Sequence, residues 1–302
     1  MTRLAAEGNE SGEMVDRLGI LTMTHGTGEE DSPSNLDVQR YIEEMQFPVP
    51  TRHGFIQAGR HLQPAVEWLN QQKVTVIVAV ILYPLSNNKE VGKAYVEMGL
   101  KPGRLKYEFY PVTTEATIYP SKLMEAHPLL ADVTQSRLLE ISQDPANEIG
   151  IYVTHGEFTP SGRRLHDGSA DEMLSIIRKR GIFFDVRRAS INPKDETLPL
   201  ARELLQTGKT LLFTHGFTER SEFTESYIPS QLAQLPEGSY RWNSTPLLPH
   251  PAMREYILFR VAETLFANGR ADLVFDEARA VWERYRDFEA QVSLPMLIPA
   301  QA

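Results

Sequence analysis

Apolar residues run unbroken from Val74 to Leu82, VTVIVAVIL, between Lys73 and Tyr83-Pro84. Nine residues rich in β-branched side chains are too few for a buried helix of ordinary length. They also lack the alternation of a strand with one wet face, so the run predicts a strand covered on both faces, as in a parallel sheet. The segment before it, PAVEWLNQQ from Pro64, puts Ala65, Val66 and Leu69 on one side of a helix, with the proline in the first turn, where its missing N–H is harmless. Helix followed by buried strand is half of an α/β unit. The same order returns at Pro199, where PLARELLQTG predicts a helix closed by Gly208 and KTLLFTH a strand ending at His215.

Three landmarks occur twice in the same order. They are Thr-His-Gly after an apolar strand (His25, His155), the proline-led helix and strand (Pro64, Pro199), and His-Pro ahead of a helix (His127-Pro128, His250-Pro251). The members of each pair lie 130, 135 and 123 residues apart. Near-constant separation with small drift is what loop insertions leave in a duplicated domain. The expected architecture is therefore α/β, with two similar Rossmann-like or flavodoxin-like lobes built on parallel sheets. These are residues 17–145 and 146–270, joined through QDPANE. Residues 1–16 are polar and read as a disordered arm without the apolar core of a signal peptide. From Ala271 onward, Leu273, Phe275, Val281, Trp282 and Tyr285 among charged residues predict an amphipathic closing helix, with 271–302 as its span and fraying from Pro295.

Composition narrows the chemistry. With 31 basic and 40 acidic residues the formal net charge is -9, which offers no general attraction for nucleic acid or an anionic membrane. The longest apolar run is about half of what a membrane helix needs. A cytoplasmic protein without nucleic-acid or membrane partners is expected. The absence of cysteine removes disulfides, thiolate-bound zinc, iron–sulfur clusters and thiol nucleophiles. Any metal must be met by His, Asp and Glu. Gly26-Thr-Gly28 lacks the rest of a dinucleotide fingerprint and no phosphate-binding GxxxxGK[ST] loop is present, so no nucleotide cofactor is expected.

In an open parallel sheet, ligands bind beyond the carboxyl ends of the strands. Thr-His-Gly at 24–26, 154–156 and 214–216 puts His25, His155 and His215 there, each followed by a glycine that permits a sharp exit. Each histidine has two readings: an imidazole displayed into a cleft, or one satisfied by the neighbouring backbone. After His215 come Glu219, Glu222 and Glu225. Imidazole with carboxylate suits Co²⁺, Fe²⁺ or Ni²⁺; a solvated loop is the other reading, as it is for Glu29, Glu30 and Asp31. His127 and His250 read as helix entries. Arg163 and Arg164 are candidate bidentate partners for ligand carboxylates.

The order of short motifs carries a resemblance. A strand ending in His-Gly is followed by Gly54-Phe55-Ile56, by Tyr-Pro-Leu after an apolar strand (83–85), and by EAHPLL (125–130). This resembles the first domain of the sirohydrochlorin chelatases of the CbiX type. The second half, with IYVTHG, the Pro199 helix and strand, FTESYIP and LLPHP, is similar to a second copy, so that the likeness covers about residues 17–265. The resemblance implies a tandem class II chelatase fold, its two lobes facing each other across a cleft. It implies insertion of a divalent metal, cobalt or iron, into sirohydrochlorin or a related tetrapyrrole without ATP. In that family an imidazole after the first strand binds the metal and helps remove pyrrole protons, and His25 and His155 match it. The second family position, after the fourth strand, is occupied here by Ser86-Asn-Asn-Lys-Glu90 and Glu222-Phe-Thr-Glu225, without a histidine.

The combined expectation is catalysis by His155, His25 and Glu222, with the metal met by His155, His215, Glu219 and His25. The ring would lie against Phe55, Phe158, Phe217 and Tyr227, its carboxylates near Arg163 and Arg164. A monomer or a homodimer would serve. The alternative is a non-catalytic relative that binds or delivers metal or tetrapyrrole. Of the two copies, the second is expected to be the working one.

Overall fold

The structure is a computed structural model that describes residues 16–26, 32–56, 62–84, 89–101 and 111–292. Residues 1–15 of the expected arm, the acids Glu29, Glu30 and Asp31, the stretch 86–88 and the tail from Pro295 lie outside the described residues. The first half runs β1 (Leu18–Thr24), α1 (Pro33–Glu44), β2 (Thr51–Phe55), α2 (Gln63–Gln71), β3 (Val76–Ile81), α3 (Lys89–Glu97), β4 (Thr117–Pro120) and α4 (Pro128–Leu139). The second runs β5 (Glu148–Gly156), α5 (Pro160–Arg180), β6 (Asp185–Asn192), α6 (Thr197–Leu205), β7 (Thr210–His215), α7 (Ile228–Leu232), β8 (Tyr240–Trp242) and α8 (Pro251–Ala267), and α9 (Asp276–Val292) closes the chain.

Among the described residues there are two four-stranded parallel sheets, ordered β2-β1-β3-β4 and β6-β5-β7-β8. The two lobes thus share one topology, the α/β fold expected. Every residue of β3 is buried, as its unbroken apolar run requires. The helix expected from Pro199 begins two residues earlier, at Thr197, because Asp195 accepts from the Thr197 N–H and holds the turn that opens it.

Alternation along the central strands gives each sheet two apolar faces. Leu21, Met23, Ile77 and Ile81 pack with α2 and α3, while Ile151, Val153, Leu211 and Phe213 pack with α6 and α7. The opposite faces are covered by an exchange. α8, from the second half, lies on β3 and β4 of the first sheet, and α4, from the first half, lies on β7 of the second. A Cβ at Gly150 on β5 would come within 2.7 Å of Leu138 of α4, so this glycine sets how closely the visiting helix approaches. Leu18, Ile20, Val78, Leu138, Leu212 and Phe259 consequently belong to one continuous core.

Polar contacts fix the exchanged helices. Arg137 of α4 donates from Nε to Pro246 O at 3.2 Å and from Nη2 to Pro249 O at 2.8 Å, and Arg254 of α8 donates to Met45 O at 2.6 Å. Both helices open on the twin His-Pro. His127 and His250 are N-caps whose Nδ1 atoms accept from Leu129 N and Ala252 N, each at 3.1 Å. No described helix is long and apolar enough to cross a membrane.

Candidate functional site

The carboxyl ends of β1 and β5 open onto one cavity of about 610 Å³ between the lobes. His25 enters it directly after β1, and His155 near the end of β5. Their local geometry is the same. Gly26 and Gly156 have φ of +78° and +75°, the left-handed region that favours glycine, and the following carbonyl turns back on the ring. His25 Nδ1 donates to Gly26 O at 2.7 Å and His155 Nδ1 to Gly156 O at 3.0 Å. With the proton held on Nδ1, each lone pair is on Nε2, where a metal or a proton would bind, at His155 in place of a weak hydrogen bond from Asn192. His155 Nε2 also sits 3.3 Å from Asn192 Nδ2, which steadies the ring. Burial lowers the His155 pKa, the Gly156 carbonyl and Glu157 push it back up, and His166 and His25 lower it further. The net direction is down, toward a neutral imidazole.

The third triplet is built differently. His215 ends β7 with only 1% exposure, packs on Trp242 at 5.4 Å, and accepts from Phe217 N through Nδ1 at 3.2 Å. It does not line the cavity. Burial lowers its pKa to about 4. The glycine after it answers a spatial demand, not a backbone one, because a Cβ at Gly216 would fall 2.2 Å from the Tyr152 hydroxyl.

Glu219 is not a solvated loop residue. It is buried, lines the cavity, and reaches from the second lobe to the first strand of the first: Oε2 accepts from Thr24 Oγ1 and Oε1 from Gly26 N, both at 3.0 Å. Burial pushes its pKa up to about 7 against the pull of these two donors. Thr24 is aimed from behind. His53 Nε2 lies 3.1 Å from Thr24 Oγ1, and His53 Nδ1 lies 2.9 Å from Thr22 Oγ1. With Thr24 donating to the carboxylate, His53 donates to Thr24 and accepts from Thr22. Burial, helped by Arg52, lowers the His53 pKa to about 3, so the ring is a neutral link in this chain.

Glu222 lines the cavity and is exposed, at the start of a π-helical turn over Phe223–Tyr227. Phe217 and Phe223 stack at 5.7 Å beside His155 and give the cavity an aromatic wall. The remaining expected contacts lie elsewhere. Phe158 is 66% exposed at the turn before α5, outside the cavity lining, because the cap by Thr159 directs the chain away there. Arg163 and Arg164, on the first turn of α5, do not line the cavity either; Arg163 Nε donates to Glu157 O at 3.4 Å, and Arg164 is exposed. Phe55 is buried against His53, Tyr227 donates to Asp195 at 2.8 Å, and Glu225 is exposed beside Arg220.

The lining also includes Glu157 and His166, which the sequence did not single out. His166 was findable, since Gly162, His166, Ser169, Ala170 and Met173 recur at helical spacing on the buried face of α5. The described lining holds the carboxylates Glu125, Glu157, Glu219 and Glu222 and no lysine or arginine, so its field favours a cation. Among the described residues, no three His, Asp or Glu side chains are grouped so as to hold a metal ion. The preformed ligands are therefore few, which leaves a metal's other positions to water or to an incoming ligand.

No family model matches the sequence, and no curated protein resembles it closely enough to count. Solved structures do. SirB from Bacillus subtilis, solved with Fe³⁺, superposes with a TM-score of 0.62 at 15% identity, over 86% of this chain and 100% of its own. The sirohydrochlorin chelatase SirB from Bacillus subtilis subspecies spizizenii, in complex with cobalt, gives 0.56 at 13% identity, over 82% and 95%. DR2241 from Deinococcus radiodurans, a multi-domain protein with structural similarity to chelatases, gives 0.58 at 15% identity; the alignment covers 82% of this chain and 55% of that protein. Two parallel-sheet lobes in one polypeptide, matched along nearly the whole of each SirB, give this chain the fold of the CbiX-type class II chelatases.

Proposed function

We propose that this protein inserts a divalent metal, Co²⁺ or Fe²⁺, into sirohydrochlorin or a related tetrapyrrole without a nucleotide. The observation that carries the reading is the pairing of His25 and His155, each with Nδ1 tied to its own following carbonyl, in one cavity that also holds Glu219. Metallation exchanges one M²⁺ for two pyrrole protons. His155 Nε2 accepts the metal and releases it along the ring normal. One proton goes to an imidazole as its lone pair is freed, and the other to the carboxylate of Glu219, whose pKa of about 7 suits both uptake and release near neutrality. Phe217 and Phe223 present flat apolar surface to one face of the ring. Glu222, at the exposed end, leads protons outward.

One observation favours a second reading, a non-catalytic carrier of metal or ring: the described cavity lining has no cation for the ring's carboxylates. A single assay separates the two. The purified protein is mixed with sirohydrochlorin and Co²⁺ or Fe²⁺, and metallation is followed by absorbance. Insertion above the uncatalysed rate is expected; ring binding with only background insertion would overturn the enzyme reading in favour of the carrier.

A further inference from the structure

His166 is on α5 and lines the cavity, yet the scheme above gives it no task. It is 6% exposed, and its Nδ1 lies 3.3 Å from Asp167 Oδ1. Asp167 is held in turn: Ser190 Oγ donates to Oδ1 at 3.4 Å and the Arg188 guanidinium stands 3.3 Å away. A carboxylate paired with the Arg188 guanidinium only accepts, so Nδ1 of His166 donates to it and the lone pair is on Nε2. Nε2 has no hydrogen-bond partner among the described residues and is not sealed in the core. Gly162, Ser169 and Ala170 are its small neighbours on the same buried helix face. His166 and His155 line the same cavity.

Carboxylate behind, imidazole between and an open Nε2 in front is the arrangement by which proteins orient a metal-binding histidine. We propose that His166, positioned by Asp167, is an imidazole ligand for a divalent cation in the cavity, acting with His155. Two imidazoles fit the observation that no three-ligand group is preformed, since water or the ring completes the shell. Asp167 is a positioning residue. The inference rests on the chelatase reading for the metal's destination but not for its binding.

The test titrates Co²⁺ alone into the purified chain, without any ring, reading visible d–d absorption and affinity by chelator competition. Wild type binds Co²⁺; His166→Ala and His166→Gln weaken binding roughly tenfold or more, and Asp167→Asn weakens it roughly tenfold and shifts the absorption band. Thermal melts identify any variant that fails to fold, and the glutamine and Asp167→Asn variants carry the test if alanine does. Wild-type affinity and spectrum in folded His166 variants overturn the proposal, as does a wild-type protein that takes up no Co²⁺. If the wild type fails to metallate sirohydrochlorin while the His166 variants still lose Co²⁺ affinity, the chelatase reading falls and the site stands. Unchanged affinity with intact metallation gives the reverse.

Discussion

Glu219 of the second lobe accepts a 3.0 Å hydrogen bond from Thr24 Oγ1 of the first. The carboxylate thereby ties the site to the lobe interface, and its ionisation carries a stability signature. Its folded pKa, about 7, is raised above the ordinary 4.5, so the folded state binds the proton more tightly than the unfolded chain does. That contribution is complete below about pH 4.5 and is lost as pH rises through about 7, an amount on the order of 3 kcal/mol.

Glu219→Gln is therefore expected to melt above wild type at pH 8 and to lose that advantage by pH 5. Taking the difference between the two proteins cancels other titrating groups, such as Glu97, whose pKa burial raises to about 8. Melting curves between pH 5 and 8 check this; a pH-independent difference would contradict it.

His155→Ala is expected to lower metal insertion by roughly a hundredfold or more. His25→Ala should lower it less, because it is the His155 ring that Asn192 steadies and that Phe217 and Phe223 flank. Initial rates at saturating ring and metal, with circular dichroism to verify folding, decide between this and equal losses, which would mean that both copies work.

Gly156→Ala meets two penalties. The new Cβ falls 2.2 Å from Asn192 O, and φ is +75°. A loss of more than about 2 kcal/mol is expected. Gly208, with φ +72° but open space around the added Cβ, is the control: Gly208→Ala should cost about 1 kcal/mol. Urea unfolding of the pair measures both, and equal costs would mean that the Asn192 contact relaxes freely.

Arg260 is fully buried on α8, pairing with Glu263 at 2.6 Å and with Glu125 of the cavity wall at 3.4 Å. Arg260→Ala strands carboxylates in the interface and should cost about 3 kcal/mol, near the lower end for a broken buried pair because Lys122 still reaches Glu263. Arg260→Met, which keeps the volume and the contact with Tyr256, should recover part of this in the same urea experiment. A methionine variant no more stable than the alanine one would place the whole effect in charge.

The fold was legible because buried strands announce themselves: VTVIVAVIL can hardly be anything but β3, and the spacing of Pro64, Pro199 and the His-Pro pairs marks two copies. The placement of His25 and His155 followed from the same strand-end reasoning. His215 shares their tripeptide, yet its ring points into packed side chains, since at β7 the glycine yields to Tyr152 and not to a left-handed turn. Local sequence does not distinguish those two uses of glycine. Nor does it mark Glu219 as buried, because the groups that hold it, Thr24 and Gly26, stand almost two hundred residues earlier. Phe158 and the Arg163-Arg164 pair have suitable chemistry, but the α5 cap turns them aside.

The exchange of α4 and α8 has a consequence for how such a chain can be divided. A half ending near residue 140 would keep α4 with no second sheet to lie on, and its own sheet would show the bare face that α8 covers. Severed halves should therefore recombine with each other sooner than fold alone. By the same reasoning, a polypeptide of half this length and the same topology would be an obligate dimer, each subunit lending its last helix to its twin about a two-fold axis.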